Sequence, residues 1–257
     1  MHDIAFESHG VRIGVATDRP EVAARLADVL PPGAQPCPVE SVQESFGLMG
    51  EEDGAYVFTR SGSPVARNLE LDFGLTLMEI QIRLYLGQEA PNRIFVHAGV
   101  VAVEDRAIVL PGRSFAGKTT LVRAFVQAGA IYFSDEFAIF DGEGRVHPFL
   151  TRLAFREGEN GRSHVHVGDL GGASGEQAMP VGAVVVTSYR PDATWEPHEL
   201  TPGRAALALL NNTLAVLFRH QEALSVFARS TVGALLLEGE RGEPDVVVAD
   251  VLSRLGR

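Results

Sequence analysis

Lysine occurs once in the 257 residues of this chain, and cysteine once. Cys37 therefore has no intrachain disulfide partner, and a cysteine-based zinc site is excluded. Positive charge is scarce overall. The formal net charge is −11, which argues against a general nucleic-acid surface, because neutralising a phosphate backbone takes clustered Lys and Arg. A local nest of backbone N–H groups can still hold an anion whatever the total charge. No apolar run reaches the ~18 residues of a membrane span, and Met1-His2-Asp3-Ile4 does not open a basic-then-apolar targeting segment, so the expected location is the cytoplasm. Histidines are scattered. The one close pair, His164 and His166, has an i, i+2 spacing that suits a strand face or loop, and a solvated loop is a simpler reading than a metal site.

What remains is ordinary for a soluble globular chain: 46% apolar and 21% charged residues, enough to bury a sizeable core as one large domain or two smaller ones. The first 90 residues read as a small α+β region. Ile4–Phe6 and Val11–Val15 are short strands about His9-Gly10, a hairpin signal. Asp18-Arg19-Pro20-Glu21 predicts a helix start, with Val22, Leu26 and Leu30 on one face and Pro31-Pro32-Gly33 as its end. Residues 33–53 are expected to be loops, and Ala55–Thr59 a strand ended by Ser61-Gly62-Ser63-Pro64. The wide apolar stripe of Leu75, Leu77, Met78, Ile82 and Leu86 predicts a helix over 73–86 wedged between two layers. Gln88 to Asn92 breaks the pattern, which places a domain boundary at about residue 90.

Beyond the break, Ile94–Val103 and Ala107–Leu110 are β-rich runs about Glu104-Asp105-Arg106. Thr119–Ala128 reads as a helix closed by Gly129. Ile131–Phe133 and Phe137–Phe140 read as strands, the second running into the turn Asp141-Gly142-Glu143-Gly144. Residues 157–178, dense in Gly, Ser, Glu and His, read as either a mobile functional loop or disorder. Val181–Thr187 is a strand, 203–218 and 220–236 two helices, Leu235–Glu238 and Val246–Val248 late strands, and Asp250–Leu255 a closing helix.

The lone lysine is Lys118. It stands in Gly112-Arg113-Ser114-Phe115-Ala116-Gly117-Lys118-Thr119, which fits G-x-x-x-x-G-K-[ST], the phosphate-binding loop. A lineage that meets its need for positive charge with arginine keeps lysine where arginine fails, and a compact ammonium on a thin stem reaches phosphates inside a tight loop that a planar fork does not. Strand, glycine loop, then helix is the context the motif requires. N–H groups from Gly112 to Thr120 would face the phosphates of ATP, and the Thr119 hydroxyl would sit on Mg²⁺. Phe115 departs from the small residue usual at its position; it either reaches the nucleotide's sugar or packs the loop on the core.

Asp135-Glu136 is the second element. A strand returning beside the loop strand would deliver both carboxylates to the loop's rim, one to hold Mg²⁺ and one to take a proton from an acceptor hydroxyl. The alternative is a solvated turn after a strand.

These residues resemble the HPr kinase/phosphorylase family, and more closely its HPr-kinase-like serine kinase relatives. The resemblance is carried by Phe95-Val96-His97-Ala98-Gly99, by Val109-Leu110-Pro111-Gly112 through Lys118-Thr119-Thr120-Leu121, by Gly129 through Glu136, and by Gly144-Arg145-Val146-His147-Pro148. It implies an α/β fold shared with phosphoenolpyruvate carboxykinases: a P-loop core with a mixed sheet at 91–257, beside the smaller α+β region at 1–90. It also implies ATP, Mg²⁺, and a protein or peptide carrying an acceptor serine; a homo-oligomer is compatible with it. By position, an acid of the pair is the general base, with Asp135 favoured and Glu136 toward the metal, and His97 occupies the place of an active-site histidine. Two parts are blurred. Arg156 and Glu157 stand near a Glu-x-Arg-Gly signature in altered order, with Glu157 a candidate metal ligand, and Arg204 follows a Pro-Gly pair where the family has a phosphate-approaching arginine. An ATP-dependent serine kinase is the leading expectation; a non-catalytic ATP-binding regulatory module and a carboxykinase-like small-molecule enzyme are the alternatives.

Overall fold

In the computed structural model the chain divides into two compact units, Met1–Pro91 and Asn92–Arg257. Residues 2–112, 117–151, 153–157, 161–214 and 216–256 are described, 154–157 and 161–164 by their backbone alone.

The first unit carries β1 (His2–Ser8), β2 (Val11–Thr17), α1 (Pro20–Ala23), β3 (Gln35–Pro36), β4 (Glu44–Gly50), β5 (Tyr56–Arg60), β6 (Ser63–Leu69) and α2 (Leu71–Glu89). Its six-stranded sheet runs β3-β1-β2-β4-β5-β6, with β2 and β4 parallel and the other pairs antiparallel. Val11, Ile13 and Val15 alternate into the core of this unit, the period-2 burial of a strand with one covered face. Two expectations fail here. The helix after Asp18 stops at Ala23 and gives way to a 3₁₀ turn over Leu26–Val29, and Asp18 is not its cap: its Oδ1 accepts from the Gly50 N–H instead. The supposed loop at 33–53 contains β4, whose Phe46 and Leu48 are buried. Helix α2 buries Leu75, Met78, Ile82 and Leu86 of the expected stripe and half-buries Leu77, while Phe73, Ile80 and Leu84, which lie outside that stripe, are exposed.

The second unit carries β7 (Arg93–Val103), β8 (Arg106–Pro111), α3 (Lys118–Gln127), β9 (Ile131–Ser134), β10 (Phe137–Asp141), β11 (Arg145–His147), β12 (Leu153–Glu157), β13 (Gly161–Val165), β14 (Met179–Tyr189), β15 (His198–Glu199), α4 (Pro202–Leu210), α5 (Val216–Ser230), β16 (Leu235–Arg241) and α6 (Pro244–Arg254). Its eight-stranded mixed sheet runs β11-β10-β7-β8-β14-β16-β15, with β9 also on β7; β8, β14 and β16 are parallel. Alternation along β7 sorts residues to two faces. Val96, Ala98, Val100 and Ala102 pack with Leu209, Val226 and Phe227 of α4 and α5, whereas Val101 and Val103 pack with Leu121 and Phe125 of α3 and Val247 and Val251 of α6. The unit is thus a sheet between two helical layers.

Here too the structure corrects the reading. β9 pairs with β7 rather than beside the loop strand β8. Residues 157–178 begin within a hairpin, β12 with β13, rather than one long loop. The two helices expected over 203–236 are interrupted: α4 ends at Leu210, Thr213 bridges to Val96, and Arg219 is non-helical inside α5. Val246–Val248 is not a strand but the first turns of α6, since Pro244 fits the opening of a helix and Val247, Val248 and Val251 then share one buried face.

Candidate active site at the start of helix α3

Gly117 closes the loop in a left-handed conformation (φ +76°), which glycine adopts at no steric cost, and α3 begins at the next residue with no side-chain cap. The first N–H groups of α3 have no partner within the helix, and its dipole adds positive potential. Lys118 sits in this position, half-buried. Burial pushes its ammonium down to about 8, while nearby Asp135 and Glu136 pull the other way.

The acids lie at the bend between β9 and β10. Ser134 Oγ accepts from the N–H groups of Glu136 and Phe137, pinning the bend. The Ala98 N–H donates to the Glu136 carbonyl, and the Gly112 N–H to the His97 carbonyl, so β7 ties the bend and the loop's first glycine together. Although β9 is not beside β8, Asp135 still meets the helix, because α3 packs directly over β7: a Cβ on Gly99 would stand 2.6 Å from Val122 Cγ2. Thr119 Oγ1 donates to Asp135 Oδ2 at 3.0 Å. Thr151 Oγ1 donates to Asp135 Oδ1 at 3.0 Å, and the Tyr132 hydroxyl is 2.9 Å from the same oxygen. Tyr132 has one proton to share between that oxygen and the Thr151 carbonyl at 3.1 Å; burial and the Asp135 charge raise its pKa, so the proton stays.

His97 is half-buried beside the Phe137 ring, with centroids 5.9 Å apart. Its backbone N–H donates to Asn212 O just beyond α4. Burial first, and the Lys118 charge second, depress the imidazole to about 4, so it is neutral at physiological pH.

The structure therefore brings Gly112, Gly117, Lys118, Thr119, Asp135, Glu136 and His97 together, and Thr120 lies exposed on the first turn of α3. It does not bring Arg204. That residue is exposed at the first turn of α4, whose preceding Leu200 bonds to Leu236 at the start of β16, while Asn212 beyond the other end holds His97. A helix of this length separates the two ends by ~13 Å. Arg113, Ser114, Phe115 and Ala116 lie outside the described residues, as do the side chains of Arg156 and Glu157.

Three contributors escaped the sequence: Tyr132, Thr151 and Arg241. Tyr132 reads as an apolar strand residue and Thr151 as a loop residue, and nothing local marks either as a carboxylate partner. Arg241, at the end of β16, is 2% exposed and donates from Nη2 to Gly117 O at 3.0 Å. The signal for it is a charged residue ending an apolar strand, which is common enough to be uninformative.

Among the described residues no group of three or more His, Cys, Asp or Glu forms a metal cluster. The oxygen donors of Thr119, Asp135 and Glu136 still suit Mg²⁺, which takes one or two carboxylates and completes its shell with water and substrate phosphates. No protein-family model matches the sequence, and no curated protein matches it. Among solved structures, the HPr(Ser) kinase/phosphatase from Coxiella burnetii is similar with a TM-score of 0.36 and 11% identity over 62% of this chain and 94% of that one. A likeness of that size carries no weight in assigning the site, which stands on its own geometry.

Proposed function

We propose that the second unit is an ATP-dependent kinase that phosphorylates a serine of a protein or peptide, built on an HPr-kinase-like P-loop core. The observation that carries this reading is the Thr119–Asp135 hydrogen bond directly beside Lys118. A hydroxyl at the first turn of a helix, joined to a carboxylate next to a buried ammonium, is the donor set for a metal–triphosphate complex.

Our assignment of the two acids reverses the sequence expectation, in which Asp135 is the base and Glu136 faces the metal. Asp135 is held by Thr119, Thr151 and Tyr132, and so suits a fixed role beside Thr119 at the metal. Glu136, half-buried and also close to Lys118, then takes the acceptor's proton. In the transfer the serine Oγ forms the new P–O bond, the bond from γ-phosphorus to the leaving diphosphate oxygen breaks, and the serine proton passes to the Glu136 carboxylate. Mg²⁺ supplies charge neutralisation on the phosphate oxygens when bound. Lys118 and the N–H groups opening α3 bind and orient the phosphates. Neutral His97 adds no charge to the site.

The test is transfer of labelled γ-phosphoryl from ATP to serine, read by mass spectrometry on candidate acceptors encoded beside this chain. Glu136→Gln is expected to keep nucleotide affinity and lose ~10²–10⁴-fold in rate, the range for a general base. Asp135→Asn is expected to lose Mg²⁺-dependent affinity as well. Undiminished transfer by Glu136→Gln removes it from the base role. Tight binding of ATP by the wild type with neither transfer nor hydrolysis would make the unit a regulatory nucleotide-binding module instead.

A further inference from the structure

Arg241 is among the largest fully buried side chains of the molecule. Its guanidinium donates to two carbonyls, from Nη2 to Gly117 O at 3.0 Å and from Nη1 to Gly242 O at 3.1 Å, and it lies 5.5 Å from the centre of the Tyr189 ring. Its Nε is buried with no hydrogen-bond partner among the described residues. Within hydrogen-bonding distance it meets no carboxylate there; the acid that acts on it, Glu243, does so only through its field. Burying an ion without a paired counter-charge is expensive, and a fold that only needed to fill this volume would do better with an apolar residue.

The position explains the expense. A Cβ on Gly117 would stand 2.2 Å from Arg241 Nη2, so the guanidinium occupies the space that any other residue at 117 would fill. Gly117 O belongs to the peptide whose N–H is that of Lys118, the first of α3, and it also accepts the first helical bond, from the Leu121 N–H at 3.1 Å. The two ends of a trans peptide point opposite ways. The carbonyl points along α3 toward Leu121, so the Lys118 N–H points back past the helix start, where an anion would sit, and a second donor that is a cation braces that carbonyl and polarises that N–H.

We propose that Arg241 is a positioning residue for the anion site: together with the first helical bond of α3 it holds the Gly117–Lys118 peptide in place, and a bound triphosphate offsets its buried charge. The inference rests on the nucleotide-binding reading but not on phosphoryl transfer.

The test compares wild type, Arg241→Met and Arg241→Lys, with Lys118→Met as a control. Mg-ATP affinity, melting temperature without nucleotide, and amide exchange over 117–121 are measured on each. Arg241→Met is expected to weaken Mg-ATP at least tenfold, to speed exchange of the Lys118 amide, and to leave the nucleotide-free melting temperature unchanged or raised. Arg241→Lys, unable to fork onto both carbonyls, should fall between. Wild-type affinity in Arg241→Met overturns the proposal, and so does a loss of affinity that merely tracks a fall in melting temperature. If the wild type binds no nucleotide, the nucleotide reading fails; amide exchange still decides the anchoring, with unchanged exchange at Lys118 in Arg241→Met ruling it out.

Discussion

At the scale of single residues, Lys118 and His97 are titratable groups held against their preference. Both have depressed pKa values, His97 at about 4 and Lys118 at about 8. For His97 the stability gained by staying neutral is complete above about 6.5, its unfolded value, and is lost as pH falls toward 4. The native state should thus lose of the order of 2 kcal/mol across that window. His97→Asn should flatten this part of a denaturant-midpoint profile, and an unchanged slope would contradict the depressed value. For Lys118 the folded protein resists the charged form, so its burial is a net cost at every pH below about 8. Lys118→Met should therefore raise the melting temperature without nucleotide while abolishing ATP binding. Titration calorimetry at pH 8 in buffers of different ionisation enthalpy should show the wild type taking up about half a proton with ATP, since half of Lys118 is neutral there before the phosphates arrive. Lys118→Arg should lose affinity despite its charge; normal affinity would refute the argument that shape kept this one lysine.

At the scale of elements, the site depends on how closely α3 lies over β7. Gly99 is the contact point, and the Val122 methyl that a side chain there would meet is fully buried. Gly99→Ala should cost about 1–3 kcal/mol by overpacking and weaken ATP binding by drawing Thr119 from Asp135. Adding Val122→Ala should restore part of both; purely additive losses in the double variant would show that the two residues do not share this space. Local pattern announced these elements well where it was strong. The strands around Glu104, the helix after Gly117 and the hairpin about His9-Gly10 follow from alternation, 3.6-residue spacing and turn residues. It failed where an element is held by distant partners. β4 lies in a stretch rich in proline and acid yet is buried between β2 and β5, and Val246–Val248 became helix because its buried face packs on α3. β-propensity is a weak signal beside burial of that kind.

At the scale of the whole molecule, each described residue of the site belongs to Asn92–Arg257, whose two apolar clusters lie on either face of its own sheet. A protein limited to 92–257 should melt cooperatively by circular dichroism and bind ATP with the affinity of the full chain; a non-cooperative melt would show that its core is incomplete. No helix among the described residues is long and apolar enough to cross a membrane. The sequence by itself determined the strand ending at Pro111, the helix that begins at Lys118, and the bend carrying the acidic pair that follows, because alternation, helical spacing and turn chemistry are written within a few residues of one another. The tertiary structure alone decided that β9 lies against β7, that Tyr132 and Thr151 hold Asp135, and that Arg241 reaches Gly117 from 124 residues away. Such contacts depend on which distant surfaces win burial against each other, and that competition leaves no periodic trace along the chain.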